Sequence, residues 1–313
     1  MHVLVTGGSG YIGSVLVPKL LNKNYKVSVV DTFWFGNNLA EHSNLNLIKE
    51  DIRNISKISL EGVDGIIHLA NIANDPCGDL DPKLSWEVNV LAGKLLAEKA
   101  ISSNIKRIVF ASSGSVYGVK DEDHVTEDLS LEPISDYNKT KMVCERVLLS
   151  YKEQLEVKII RPATVCGPSP RTRFDVSVNM FVQQAFQNGN LTVFGGKQTR
   201  PNIHIDDITD IFINMLETPN ADSEIYNAGF ENLCLDDIAH LVCKAQPATI
   251  QHLPSNDPRS YRLNSDKLLA TGFKPKWNVE QAISQVSSRL KEGSIIVTDA
   301  HYNIKKMREI FGI

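Results

Sequence analysis

The chain has 313 residues, of which 42% are hydrophobic and 22% charged, with a formal net charge of −4 and a pI of about 6.1. This length and composition indicate a soluble globular protein of about two domains. The slight acidity argues against a nucleic-acid-binding surface, and no apolar run approaches the roughly 18 residues needed to span a membrane. We therefore expect neither a nucleic-acid partner nor a membrane partner.

The number and spacing of the cysteines indicate the cellular compartment of the protein. The five cysteines are scattered and odd in number, and no C-x-x-C pair occurs. This pattern is typical of reduced thiols rather than of a disulfide framework or a zinc site. We therefore expect a cytoplasmic protein without a structural metal.

A glycine-rich stretch lies near the start of the chain. A strand pattern at residues 2–5 is followed by TGGSGYIG at residues 6–13 and by a helical pattern at residues 11–21. A strand, a glycine turn and a helix in this order predict a dinucleotide site. Gly7 permits the tight turn, Gly10 lets the backbone approach the pyrophosphate, and N–H groups at the helix start attract phosphate.

A second strand pattern indicates which dinucleotide is bound. It covers residues 26–31 and ends at Asp31, about 20 residues after the glycine turn. A carboxylate there accepts hydrogen bonds from the adenosine ribose hydroxyls and repels a 2′-phosphate. Because no Lys or Arg lies between Asp31 and Ile48, the sequence favours NAD over NADP.

Further strand patterns occupy residues 45–50, 63–69, 106–113 and 157–161, alternating with helical patterns as in a parallel sheet. His68, flanked by Ile67 and Leu69, is interpreted as a core histidine rather than a base. Asn89, inside a helical pattern at residues 84–102, is a candidate for supporting the site from below the cofactor.

A serine, a tyrosine and a lysine suggest the chemistry. Ser112 and Ser113 end a strand pattern, and about 25 residues later Tyr137 and Lys141 open a helix. Residues four apart share one helix face. A phenol with a pKa near 10 becomes a useful base when an ammonium and a positive nicotinamide stabilise its anion. The combination predicts a tyrosine general base.

Taken together, these motifs resemble the extended short-chain dehydrogenase/reductases, in the NAD-dependent nucleotide-sugar epimerase/dehydratase branch that includes UDP-glucose 4-epimerase. The resemblance covers almost the whole chain. It is carried by residues 6–13, Asp31, residues 51–53, residues 68–70, Asn89, residues 112–118, Tyr137, Lys141 and residues 161–168.

The resemblance implies an α/β fold, a doubly wound parallel Rossmann sheet with a smaller C-terminal α/β substrate domain. Residues 1–165 would form the NAD-binding domain, with part of 200–228 returning to it, and residues 166–313 mainly the domain for the nucleotide-diphosphate sugar. It also implies a homodimer built from the helical patterns at residues 84–102 and 137–154.

The resemblance further implies site residues. Tyr137 is the general base, Lys141 its activator and a nicotinamide-ribose ligand, and Ser113 binds the oxygen being oxidised. NAD contacts are implied at Gly7, Gly10, Tyr11, Ile12, Asp31, Asp51, Ile52, Leu69, Ala70, Asn71, Asn89, Tyr137, Lys141 and Pro162. Substrate contacts are implied at Ser113, Asn179, Val193, Arg200, Asn202 and Arg259. Tyr117 is interpreted as a lining residue, and Arg171 and Arg173 as weak clamp candidates, with a solvated surface role an equal alternative.

Three functions compete at this point. They are an enzyme acting on a nucleotide sugar, a simple alcohol dehydrogenase or ketone reductase, and a cofactor-sensing protein without catalysis. The intact set of Ser113, Tyr137 and Lys141 argues against the sensor. Arg200 and Arg259, as candidate phosphate clamps within a full substrate domain, argue against the simple dehydrogenase.

The two residues that follow Ser113 indicate which of the family's reactions this chain can catalyse. Related dehydratases carry an Asp-Glu pair there, and one group of 3,5-epimerases a cysteine, whereas this chain has Gly114 and Ser115. The remaining chemistry is hydride transfer at one carbinol, by resemblance C4. We favour a 4-epimerase, with a 4-dehydrogenase or 4-keto reductase holding tightly bound NAD(H) as the alternative. The nucleotide and the sugar stay open.

Overall fold

The computed structural model describes residues 1–218, 224–255, 257 and 260–312. Its strands are β1 (His2–Thr6), β2 (Lys26–Asp31), β3 (Leu45–Lys49), β4 (Gly65–His68), β5 (Arg107–Ala111), β6 (Glu156–Pro162), β7 (Thr164–Cys166), β8 (Asn190–Phe194), β9 (Thr199–His204), β10 (Glu224–Ala228), β11 (Glu231–Cys234) and β12 (Thr249–Leu253).

The helices alternate with these strands. They are α1 (Gly13–Asn22), α2 (Asp75–Leu80), α3 (Pro82–Trp86), α4 (Ala92–Ser102), α5 (Asp136–Leu149), α6 (Ser177–Asn188), α7 (Ile205–Glu217), α8 (Leu235–Ala245), α9 (Asp266–Leu269), α10 (Val279–Lys291) and α11 (Asn303–Phe311). A π-helical turn, Glu87–Leu91, joins α3 to α4, so the helix predicted over residues 84–102 is interrupted. None of the described helices is long and apolar enough to cross a membrane.

A parallel sheet forms the centre of the fold. Among the described residues it contains seven strands in the order β10-β6-β5-β4-β1-β2-β3, and every neighbouring pair is parallel. This arrangement confirms the predicted doubly wound α/β fold. The strand order reverses between β1 and β4, and the crevice at the carboxyl ends of such strands is where ligands bind.

Both faces of the sheet are covered by helices. Successive side chains of a strand point to opposite faces. Val3 and Val5 pack in one hydrophobic cluster with α1 and α7, whereas Leu4 packs in another with α4 and α5. Burial on both faces explains why the sequence shows continuous apolar runs here.

A separate hydrophobic cluster lies in the C-terminal half. There α6, α8 and α10 pack together with Leu191 and Val193 of β8, and β8 pairs with β12. A three-stranded sheet of β11, β9 and β7 adjoins this cluster, and β10 joins the edge of the large sheet. The boundary at residue 165 between two domains stays a prediction.

Candidate active site

A cavity of about 640 Å³ lies along the carboxyl ends of β1, β4 and β5 and extends to β8 and β9. Most of the predicted site residues line it: Gly7, Gly10, Tyr11, Ile12, Asp31, Asp51, Ile52, Leu69, Ala70, Asn71, Ser113, Tyr137, Lys141, Pro162 and Arg200. The structure therefore brings the glycine turn, the acid that ends β2 and the serine–tyrosine–lysine set to one cleft.

The glycine turn forms a cradle that larger residues would fill. Gly7 has a φ of +70°, and a Cβ atom there would lie 2.7 Å from the backbone nitrogen of Ala70. A Cβ atom on Gly13 would lie 2.5 Å from the Cα atom of Gly8. Backbone therefore borders the cavity at the start of α1, where free N–H groups suit a pyrophosphate. This geometry fits a dinucleotide.

The carboxylate of Asp31 is oriented by backbone donors. Its Oδ2 atom accepts from the N–H of Ser9 at 2.9 Å, and its Oδ1 atom accepts from the N–H of Phe33 at 2.8 Å. Burial raises the pKa of Asp31, and these backbone hydrogen bonds oppose the rise. Each oxygen keeps a further lone pair, which suits the ribose hydroxyls of NAD.

The catalytic candidates meet where β5 ends and α5 begins. Ser113 lies close enough to the Tyr137 phenol to lower its pKa, and the Oγ atom of Ser113 lies 2.7 Å from Oγ of Ser115. Lys141 donates from Nζ to the carbonyl of Ala111 at 2.8 Å, and this Nζ lies 5.9 Å from the centroid of the Tyr137 ring. The backbone of β5 thus anchors the lysine on the same helix face as the tyrosine.

Burial shifts the two titratable groups in opposite directions. It raises the pKa of Tyr137 to about 12, and the charge of Arg173 is the largest opposing influence. It lowers the pKa of Lys141 to about 8, opposed by Cys144 and Glu145. The sequence predicts that Lys141 stabilises the phenolate, and the structure adds Arg173 as a second neighbouring cation.

The surface role considered for Arg171 and Arg173 is wrong. Arg171 is only 4% exposed, and the Arg173 side chain is 15% exposed with its Nε atom 2.8 Å from Oδ1 of Asp175. Both line the cavity. The segment folds inward because Oγ of Ser169 donates to the carbonyl of Tyr11 at 2.8 Å. The only nearby sequence feature that could have indicated this inward fold is the Gly-Pro turn at residues 167–168.

Two residues that were predicted to contact a ligand stabilise the cavity walls without lining the cavity. Asn89 accepts from the N–H of Ile72 at 2.7 Å and donates to Oγ1 of Thr140 at 3.0 Å. Asn179 accepts from the N–H of Gly167 at 3.0 Å and donates to the Tyr11 hydroxyl at 3.0 Å. Both side chains are buried outside the lining. They hold the loops that carry the lining residues instead of reaching the cavity themselves.

Four other predictions need correction or fall outside the described residues. The Val193 side chain is fully buried among α6, α8 and α10, and its neighbour Phe194 lines the cavity instead. Asn202 is buried and donates to the carbonyl of Arg200 at 2.8 Å, again outside the lining. Tyr117 is a core residue, not a lining one. Arg259 lies outside the described residues.

A buried ion pair behind the site was not predicted. Arg161 contacts Glu145 through Nε at 2.9 Å and Nη2 at 2.7 Å, and neither side chain is more than 1% exposed. Ser112 also donates to this carboxylate. Glu145 stands four residues after Lys141 on α5, so its position on the same helix face was the available signal.

The parallel sheet, the glycine cradle and the serine–tyrosine–lysine set together define an NAD-dependent enzyme of the extended short-chain dehydrogenase/reductase type. The chain belongs to the NAD dependent epimerase/dehydratase family, whose model matches residues 3–229. In the described part of the chain, no group of three or more His, Cys, Asp or Glu residues could hold a metal ion.

Several known proteins are similar over most of this chain. A putative UDP-glucose 4-epimerase of Methanocaldococcus jannaschii is 28% identical over 93% of this chain and 99% of its own length. An uncharacterized UDP-glucose epimerase of Bacillus subtilis is 34% identical over 73% of this chain and 77% of its own. The structure of UDP-glucuronic acid 4-epimerase from Bacillus cereus with UDP-glucuronic acid and NAD has a TM-score of 0.85 at 29% identity, covering 93% and 99% of the two chains.

Proposed function

We propose that this protein is an NAD-dependent UDP-sugar 4-epimerase. The observation that carries the proposal is that Ser113, Tyr137 and Lys141 line one cavity, with Lys141 anchored by the Ala111 carbonyl on the same helix face as the tyrosine. This set lies in one cavity with the glycine cradle and Asp31. The similar proteins named UDP-glucose and UDP-glucuronic acid 4-epimerases support the choice of UDP and of C4.

NAD, when bound, supplies the acceptor and the later donor of a hydride. Tyr137 removes the proton of the C4 hydroxyl while the hydride leaves C4, and Ser113 donates a hydrogen bond to the same oxygen. Lys141 keeps positive charge beside the phenolate. In the return step Tyr137 gives its proton back to the oxygen of the 4-keto sugar. Return of the hydride to the opposite face inverts C4.

The nucleotide half of the substrate is proposed to bind near β8 and β9. Arg200 is held at 2.9 Å from Oδ2 of Asp257, and both residues line the cavity together with Phe194. A guanidinium that is held in place by a carboxylate and lines the cavity suits a diphosphate, because its planar donors match phosphate oxygens. Phe194 is 51% exposed and offers an apolar surface to a base.

The test is turnover with a panel of UDP-, GDP-, dTDP- and CDP-sugars in D₂O, followed by NMR of the products. We expect the 4-epimer of a UDP-sugar with no enzyme-dependent deuterium at C3 or C5. Tyr137→Phe is expected to retain NAD and lose roughly 10²–10⁴-fold in turnover. Tyr151→Phe, which removes a hydroxyl bonded to the exposed Glu98, is the matched control.

Three results would contradict the proposal. Deuterium at C3 or C5 would reveal an additional base. Near-normal turnover by Tyr137→Phe would remove the proposed base. Stoichiometric accumulation of NADH with a 4-keto sugar would instead support the 4-dehydrogenase.

We also propose that the enzyme is a homodimer whose two-fold interface includes α4 and α5. Leu91, just before α4, is 49% exposed, and Trp86 at the end of α3 is 38% exposed. Val143 and Val147 on α5 are only partly buried. Pairing of this surface with a second copy would bury these apolar side chains.

A further inference from the structure

Arg171 is a buried cation with unused hydrogen-bonding capacity. Its Nη2 atom donates to Oδ1 of Asn303 at 2.6 Å, and its guanidinium carbon lies 4.1 Å from the centroid of the Phe35 ring. Its Nε atom is buried and has no hydrogen-bond partner among the described residues. Burial, together with the charge of Arg173, lowers the pKa of Arg171 to about 9. A buried donor without a partner is costly, so this geometry indicates an anionic ligand.

The surroundings of Arg171 indicate which anion it contacts. The backbone N–H of Arg171 donates to Oγ of Ser169 at 3.2 Å. That hydroxyl donates in turn to the carbonyl of Tyr11 and lies 2.7 Å from Oγ of Ser14 at the start of α1. Arg171 is therefore tied to the helix end where the glycine cradle opens. Phe35, on its other side, belongs to the loop that follows β2.

We propose that Arg171 clamps the pyrophosphate of NAD against the N-terminal end of α1, with Nε as a donor, and that Asn303 of α11 is the positioning residue that holds it there. The inference rests on the proposed use of NAD. Asp31 favours a cofactor without a 2′-phosphate, so the pyrophosphate is the anion expected between Asp31 and the catalytic tyrosine.

Other anions fit less well. Arg200, which is proposed for the substrate diphosphate, is fixed by Asp257 near β8 and β9. Arg173 is paired with Asp175 and acts on the Tyr137 phenol, at the reactive end of the cavity. Arg171 has an electrostatic influence on Asp31 and also on Asp175, so it lies between the Asp31 end and the reactive end of the cavity. In this assignment Arg171 contacts the cofactor, Arg173 lies at the reacting sugar, and Arg200 contacts the nucleotide part of the substrate.

The C-terminal helix supports the clamp. The N–H of Asn303 donates to Oδ2 of Asp175 at 3.1 Å, and Asn303 and Met307 both line the cavity. Phe311 packs edge-on against Trp34, with ring centroids 5.8 Å apart. Because α11 is attached to both the arginine segment and the loop after β2, it keeps the guanidinium over the cofactor edge.

The test compares ligands that differ in phosphate content. Binding of NAD, ADP-ribose, adenosine and UDP is measured by calorimetry for the wild-type protein, Arg171→Met, Arg171→Lys and the control Arg308→Met, an exposed arginine of α11. Arg171→Met is expected to weaken NAD and ADP-ribose binding by roughly 10- to 100-fold and to leave adenosine binding unchanged. Arg171→Lys is expected to be intermediate, because an ammonium keeps the charge without the planar fork. Arg308→Met should bind like the wild type.

Each other result overturns a specific statement. Equal weakening of adenosine and ADP-ribose would mean that Arg171 shapes the nucleoside pocket. Unchanged ADP-ribose binding with weaker UDP binding would mean that the Arg171 guanidinium contacts the diphosphate of the substrate and not that of NAD. If Arg171→Met does not fold, the proposal is tested with Arg171→Lys and Asn303→Ala instead. Wild-type affinity for ADP-ribose in both of these variants would refute the clamp. A wild-type protein that binds no NAD refutes the proposed function itself.

Discussion

Replacing Gly7 by alanine tests the cofactor cradle. Gly7 has a φ of +70°, and the added Cβ atom would lie 2.7 Å from N and 2.8 Å from Cα of Ala70. Both atoms are backbone at the end of β4, so the conflict can be relieved only by moving a strand end or the glycine turn. Either movement displaces the N–H groups that are proposed to hold the pyrophosphate.

A matched glycine separates backbone strain from steric conflict. Gly189, after α6, has a φ of +66°, and a Cβ atom there would meet nothing within 4 Å. Gly189→Ala therefore carries only the left-handed backbone penalty, about 1–2 kcal/mol. Gly7→Ala adds overpacking of about 1–3 kcal/mol, for a total of about 2–5 kcal/mol.

Urea denaturation and NAD titration of both variants provide the measurement. We expect Gly7→Ala to lose more unfolding free energy than Gly189→Ala and to lose NAD binding, whereas Gly189→Ala should bind NAD like the wild type. If the two variants lost the same stability and both bound NAD normally, Ala70 would not confine the turn and the cradle argument would fail.

Three further predictions concern the rest of the site and the dimer. Arg173→Met removes a cation that lowers the Tyr137 pKa, and the base must be deprotonated, so the rising limb of kcat against pH should move up by about one unit. Phe194→Ala should raise KM for the UDP-sugar with little change in stability, whereas Val193→Ala should cost about 1–3 kcal/mol in urea denaturation with an unchanged KM. Leu91→Glu should convert a dimer into a monomer by light scattering, and a wild-type protein of monomer mass at micromolar concentration would contradict the dimer.

The central sheet and much of the cleft could be predicted because local rules determine them. A strand buried on both faces needs a continuous apolar run, and residues 3–5 and 108–111 show such runs. A turn that must pass close to backbone needs glycine, as at Gly7. Tyr137 and Lys141 are four residues apart on α5, so their common helix face follows from helix geometry.

The lining of the substrate end could not be predicted because strand register decides it. In β8, Leu191 and Val193 are buried while Thr192 and Phe194 are more exposed. Both Val193 and Phe194 are apolar, and a shift of one residue exchanges the two faces. Parallel pairing with β12 and packing against α6 and α8 select the face, and neither is encoded within the strand itself.

The burial of Arg171 and Arg173 could not be predicted because their contacts are distant in sequence. Arg171 meets its partner Asn303 across 132 residues, and the ring it packs on, Phe35, follows β2. Nothing beside Arg171 in the sequence distinguishes a buried guanidinium from a solvated one. Asn89 is comparable, since its bond to Thr140 joins the π-helical turn to α5 across 51 residues.

The electrostatics of the site explain why more than one cation is needed near the base. Burial raises the pKa of Tyr137 to about 12 and lowers that of Lys141 to about 8, so burial alone keeps the proton on the phenol. Arg173 opposes this effect from beside the tyrosine. The carboxylate of Glu145, four residues from Lys141, raises the pKa of Lys141 and is also paired with the guanidinium of Arg161 at 2.7 Å. Asp75 adds to the rise in the Tyr137 pKa, whereas Arg173 is the largest influence that lowers it. Arg173 is therefore the residue whose loss should shift the pH dependence.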